Sequence, residues 1–120
     1  RIGLLGLTFK AGTDDLRDSP ALAVAALLRR EGADLVGYDP AHPVGVPGVT
    51  DAVTVVDDPI DVAKDASVLV VLTDWPQFRA LDWHALGGVV ENPVVVDARN
   101  LLDGDVLRRA GFTWIGLGRP

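Results

Sequence analysis

Cysteine is absent from this 120-residue chain. Within the chain, that excludes a disulfide framework, a thiolate metal site and a thiol nucleophile. Methionine is absent too, at the first position included, so the expectation is a domain excised from a longer protein whose remainder holds the chemistry. Lysine is nearly absent: Lys10 and Lys64 stand against nine arginines. Glutamate is as scarce, two residues against 15 aspartates, and the formal net charge is −6. A surface of that sign repels nucleic acid and anionic lipid, because affinity for phosphate backbones draws on basic patches. No stretch approaches the ~18 uninterrupted apolar residues of a membrane span, and no signal-peptide pattern is present. These absences lead to the expectation of a cytoplasmic protein without nucleic-acid or membrane partners.

What is present is apolar and ordered. The hydrophobic fraction is 48%, which belongs to globular chains, and the length suits one domain. The chain is organised around Gly3 to Pro20. Ile2 to Leu7 reads as a central strand, and Phe9 to Asp18 as a polar loop carrying Lys10, Arg17 and three aspartates. Ser19-Pro20 then supplies a helix N-cap followed by proline at the first helical position.

Downstream, Ala21 to Glu31 reads as a helix with Leu22, Val24, Ala25, Leu27 and Leu28 inward and Gly32 as its left-handed C′ residue. Ala33 to Tyr38 reads as a strand, 41 to 48 as a loop, and Val49 to Val56 as a short edge strand. Asp58-Pro59 opens a short helix over Ile60 to Asp65. Ser67 to Leu72 is a β-branched run expected to be buried on both faces. Helical turns follow through Gln77–Arg79 and Trp83–Leu86, then a strand at Pro93 to Asp97, a helix at Val106 to Ala110 and a last strand at Phe112 to Leu117. Strands alternating with helices predict a single α/β domain: a doubly wound, Rossmann-like, mostly parallel sheet with right-handed crossovers.

In such a sheet the residues just past the strands' C-terminal ends share one rim, where ligands bind. Here that rim collects Thr8, Phe9 and Lys10; Asp39; Thr73, Asp74 and Trp75; and Asp97 to Asn100. Lys10 and Arg99 suit an anionic group, one as a point charge and the other as a two-pronged donor. Equally, they could pair with Asp14, Asp15 or Asp97. Phe9 or Trp75 could lie against a flat base. Asp14-Asp15 reads as loop-shaping, and Asp39-Pro40 as a turn, because the first loop lacks the G-x-G-x-x-G fingerprint of a pyrophosphate cradle. His42 and His84 have no partner at a characteristic spacing, and no metal-ligand or serine–histidine–acid pattern emerges. Trp83 and Trp114 read as packing residues.

The stretch Gly6-Leu-Thr-Phe-Lys-Ala-Gly-Thr-Asp-Asp-Leu-Arg-Asp-Ser-Pro20 resembles the G-L-x-F-K-x-x-T-D-D-x-R-x-S-P signature of the UDP-glucose/GDP-mannose dehydrogenase family, at the start of its C-terminal UDP-binding domain. Tyr38-Asp39-Pro40, Thr73-Asp74-Trp75 with Phe78, Asp97-Ala98-Arg99-Asn100 and Gly116-Leu117-Gly118-Arg119 follow in the family's order. The resemblance covers the whole chain. It implies an enzyme that oxidises a nucleotide-sugar primary alcohol to a carboxylate in two NAD-dependent steps, through a thiohemiacetal and a thioester on a thiol in the preceding portion.

By the same resemblance, residues 1–120 would be the C-terminal UDP-sugar-binding domain, with the N-terminal NAD-binding and central domains absent. Phe9 and Lys10 would contact the nucleotide-sugar, and Arg99 would reach the same substrate, within the domain or across a domain or subunit boundary. Arg17 would meet the NAD held mainly by the N-terminal domain. The full-length enzyme would be a homo-oligomer. Thr8 stands where alanine is common, and Asp18 and Asp74 replace the usual glutamates. UDP-glucose, UDP-N-acetylmannosamine and GDP-mannose stay open as substrates, as does a non-catalytic structural or regulatory module. A phospho-receiver-like domain fits less well, because Asp14-Asp15 lie well past the first strand.

Overall fold

The computed structural model describes residues 1–8, 12, 19–41 and 51–117. Six strands form one all-parallel sheet: β1 (Ile2–Leu5), β2 (Leu35–Tyr38), β3 (Thr54–Val55), β4 (Val68–Val71), β5 (Val94–Asp97) and β6 (Thr113–Gly116). Among the described residues four helices lie between them: α1 (Pro20–Arg30), α2 (Pro59–Ala63), α3 (Trp83–Gly87) and α4 (Gly104–Arg109), with a 3-10 turn at Pro76–Ala80. The strand order is β3-β2-β1-β4-β5-β6. Winding therefore reverses between β1 and β4, the place where an open α/β sheet forms its ligand crevice.

Each helix begins where its capping chemistry sits. Ser19 Oγ accepts from the Leu22 N–H at 3.4 Å and donates to the Leu7 carbonyl at 2.7 Å, so one hydroxyl caps α1 and ties it to the end of β1. Asp58, Asp82 and Asp103 cap α2, α3 and α4 in the same way. Gly32 closes α1 at φ +90°, the left-handed conformation expected of it. The short second helix begins at Pro59, one residue earlier than expected, because the Asp58 cap and the proline at the first helical position set the start. The expected edge strand reduces to Thr54–Val55 among the described residues.

The core has two parts, one on each face of the sheet. On one face Leu5, Leu69, Val71 and Val95 meet Phe78, Trp83, Leu107 and Phe112; Trp83 and Phe112 pack edge to face at 5.6 Å. On the other, Leu4, Leu7 and Leu35 meet Leu22 and Ala25 of α1. Two expectations change here. Val24 and Leu27 point outward, 37% and 59% exposed, since α1 turns Ala21, Leu22 and Ala25 to the sheet. In β4, Leu69 and Val71 are buried but Val68 and Val70 are only half-buried, because no described helix lies over that face of the β4–β6 half.

Tyr38, the chain's single tyrosine, ends β2. Its phenol is pushed above the ordinary value of 10.0 by burial, then by the Asp39 and Asp58 charges. A native pKa above the unfolded one means the fold favours the protonated phenol. Its contribution to stability is complete below about pH 10 and is lost as pH rises through the raised value. Ultraviolet titration of the phenolate should give a midpoint above that of the urea-unfolded chain; coincident midpoints would contradict this.

Candidate functional site

The crevice at the strand reversal is built by two loops that hold each other. After β1 the chain turns at Gly6, φ +99°, and runs through the buried Leu7 and Thr8. After β4 it passes the fully buried Thr73, whose hydroxyl donates to the Thr8 carbonyl at 3.2 Å. Gly6 and Thr73 approach so closely that a Cβ on Gly6 would sit 2.4 Å from the Thr73 Cβ and 2.6 Å from its backbone nitrogen.

Asp39 lies beneath this junction, 1% exposed. Its Oδ2 accepts from the Leu7 N–H (2.8 Å), the Thr8 N–H (3.0 Å), the Thr8 hydroxyl (3.0 Å) and the Trp75 indole N–H (3.1 Å). Its Oδ1 accepts from the Ala41 N–H at 2.9 Å. Far more than a turn residue, Asp39 is the hub that joins β2 to the loops after β1 and β4. Trp75, one candidate for lying against a base, is instead 9% exposed, packed in the core and tied to Asp39.

Asp97 plays the same part under the loop after β5. It is fully buried; Oδ2 accepts from the Leu102 N–H (2.7 Å) and the Trp114 indole (3.2 Å), and Oδ1 from the Arg99 N–H (3.2 Å). The loop so shaped turns at Asn100, φ +51°, and lifts the Arg99 side chain into solvent. The Arg99 guanidinium stands 3.5 Å from Asp74 Oδ2, with side chains 40% and 44% exposed. An exposed pair of this kind contributes only about 0–1 kcal/mol. Arg99 is therefore a rim cation that an anionic ligand could take from Asp74 at little cost.

Beside it opens a cavity of about 540 Å³ lined by Arg79, Trp83, Asn100 and the 101–103 segment, among others. That size falls in the range of small-molecule sites. The Arg79 Nε donates to the Leu101 carbonyl at 2.8 Å. Asn100 Nδ2 donates to the Leu117 carbonyl at 2.9 Å, while its buried Oδ1 has no hydrogen-bond partner among the described residues.

Among the predicted site residues, Arg99 is thus placed on the rim, whereas Phe9, Lys10 and Arg17 lie outside the described residues, as do Asp14, Asp15 and His42. His84 is exposed on α3. Among the described residues no cluster of three or more His, Cys, Asp or Glu could hold a metal ion. Sequence reasoning missed the structural weight of Asp39 and Asp97. The available signal was an acid directly following a buried apolar strand, where only a fully hydrogen-bonded carboxylate is tolerated.

Comparison with known proteins agrees with the order of the motifs. Residues 3–104 match the UDP-binding domain of the UDP-glucose/GDP-mannose dehydrogenase family, and the chain belongs to that family. It is 41% identical over 120 residues to a UDP-glucose 6-dehydrogenase of Rhizobium meliloti (strain 1021), covering all of this chain and 28% of that one. Among solved structures it resembles an NDP-N-acetyl-D-galactosaminuronic acid dehydrogenase from Methanosarcina mazei Go1 (TM-score 0.84, 30% identity, 98% of this chain and 24% of that one). It also resembles a UDP-D-ManNAc dehydrogenase from Pyrococcus horikoshii (TM-score 0.78, 32% identity, 98% and 25%). The chain thus spans about a quarter of its relatives' length.

The family resemblance implies NAD, and the crevice can be tested for it. In a dinucleotide fold the glycines of the first loop leave room for pyrophosphate and an acid after the second strand binds ribose. Here the space beside Gly6 is filled by Thr73, and both oxygens of Asp39 are taken by the chain's own donors. The described residues do not fit a dinucleotide. Among them, no helix is long and apolar enough to cross a membrane.

Proposed function

We propose that this chain is the C-terminal, nucleotide-sugar-binding domain of an NAD-dependent UDP-glucose 6-dehydrogenase that oxidises UDP-glucose to UDP-glucuronate. The reading rests above all on membership in a UDP-binding domain family. It is supported by the Arg99 cation, weakly held by Asp74, on the rim past the C-terminal ends of the strands. In this reading the N-terminal NAD-binding and central domains lie outside the chain and supply the thiol this one lacks. NAD, held by that portion, would supply the hydride acceptor. Phe9 and Lys10 contact the nucleotide-sugar, Arg99 binds its anionic part, and Arg17 faces the NAD of the other domain. The enzyme is cytoplasmic and homo-oligomeric, and the isolated domain is inactive. The similarity to a UDP-D-ManNAc dehydrogenase favours UDP-N-acetylmannosamine as a second substrate reading.

Calorimetric titration of UDP tests the assignment. Lys10→Ala and Arg99→Ala should each weaken binding by roughly 10- to 100-fold, the loss of one charge-assisted hydrogen bond of about 1.5–3 kcal/mol. Asp74→Asn should tighten it by up to about fivefold, because the ligand no longer competes with a carboxylate worth at most about 1 kcal/mol. Equal heats for wild type and all three variants would remove these residues from the site. If binding is absent from this chain but present in the full-length enzyme, the site is one that the other domains complete.

A further inference from the structure

An all-parallel sheet is ordinarily covered on both faces. Here α2, α3 and α4 pack with the core on one face, whereas α1 covers β1 and β2 on the other. The remaining half of that second face carries an apolar surface. Alternation along the strands puts Val68 and Val70 of β4, Val94 and Val96 of β5, and Ile115 of β6 there, opposite the buried Leu69, Val71, Val95 and Asp97. The register sets Val70 beside Val96 and Val96 beside Ile115, a continuous row across three strands. Ile115 is 48% exposed, and Leu117 just beyond it is 61% exposed. Val68, Val94 and Val96 are half-buried and Val70 packs against the edge of the Leu4–Leu22 cluster, so a valine-rich sequence suited to burial on both faces is only partly covered on one.

Resting on the reading that the chain is part of a longer dehydrogenase, we infer that this strip is the seat of an apolar-faced helix from the part of the enzyme outside these 120 residues. Three observations select that occupant. The strip is about 14 Å wide and 13 Å long, at about 4.8 Å per strand and 3.3 Å per residue, which matches one helix of about 10 Å diameter. Its area falls well short of the roughly 800 Å² per partner that separate molecules need for stable association, which disfavours a second copy. A segment of the same polypeptide needs no such area, since tethering raises its effective concentration to about the millimolar range. And relatives of which this chain spans 28% have ample polypeptide to supply it.

Hydroxyl-radical footprinting of the 120-residue chain and of the full-length protein tests this. Oxidation of Ile115 and Val96 should fall at least about fivefold in the full-length protein, while Leu27, 59% exposed on the outward side of α1, serves as the internal reference. Equal oxidation of Ile115 and Val96 in both contexts would overturn the inference. Sedimentation of the short chain supplies a second arm: a dimer dispersed by Ile115→Lys would identify the occupant as another copy and also overturn it, whereas a monomer supports it. UDP-glucose turnover by the full-length protein is scored separately. Protection of Ile115 without turnover would retain the helix seat and reject the functional reading.

Discussion

Asp39→Ala should destabilise the domain by about 3–5 kcal/mol and leave much of it unfolded at ambient temperature. The substitution strips five donors of their acceptor: three backbone N–H groups, a hydroxyl and an indole N–H. The carboxylate is 1% exposed, and apart from the part-buried Ala41 N–H water reaches these groups only if the loops part. Each buried donor left unmade costs about 1–3 kcal/mol, and some relief by entering water keeps the total below the simple sum. Against a total stability of about 5–15 kcal/mol, the loss is severe.

Asp39→Asn separates the hydrogen bonds from the shape. Its single oxygen can keep the four donors on the Oδ2 side only by turning its NH₂ toward the Ala41 N–H, so a cost of about 1–2 kcal/mol is expected. In a Trp75→Phe background the alanine change should cost measurably less, because one of the stranded donors is already gone. Urea unfolding monitored by circular dichroism measures all of these. A change below about 1 kcal/mol for Asp39→Ala would mean that Asp39 does not hold the two crevice loops together.

Gly6→Ala should lower the melting temperature by roughly 6–25 °C, corresponding to about 2–5 kcal/mol in a domain this size. Two costs combine. At φ +99° an L side chain is strained by about 1–2 kcal/mol. The new methyl also lands 2.4–2.6 Å from Thr73, against a backbone nitrogen as well as side-chain atoms, and forcing extra carbon into a packed site costs about 1–3 kcal/mol. Because part of the obstruction is backbone, Thr73→Ser or Thr73→Ala should restore little. Gly32→Ala is the control: its φ is +90° but nothing lies within 4 Å, so only the strain remains and the melting temperature should fall much less. Equal losses at the two glycines would show that the contact with Thr73 carries no cost.

Much of the architecture was legible because its causes are local. Ser19-Pro20 and Asp58-Pro59 announce helix starts through caps that act over two or three residues, and Gly32 announces a helix end, whereas the Asp103 cap starts α4 at Gly104, two residues before the expected Val106. Branched runs such as Val94-Val-Val96 declare strands, and their alternation with helices dictates a parallel sheet. The signature from Gly6 to Pro20 identified the family, and with it the residues to suspect. Of these, Arg99 now has a place and a partner on the rim, while Phe9, Lys10 and Arg17 lie outside the described residues.

By itself, then, the sequence determined the element order, the parallel doubly wound class and the family, because capping, periodicity and motif spacing are carried by residues near one another in the chain. Tertiary structure alone decided which residues meet across long separations. It made Asp39 a five-bonded hub for groups up to 36 positions away and buried Trp75 against it. It matched Gly6 to Thr73 and paired Arg99 with Asp74. It also turned Val24 and Leu27 outward and left the Val96–Ile115 strip only partly covered. The physical reason is the same in each case: a side chain's hydropathy states that it prefers burial or a partner, but which neighbour meets that preference depends on how the sheet is ordered and which of its faces the helices cover.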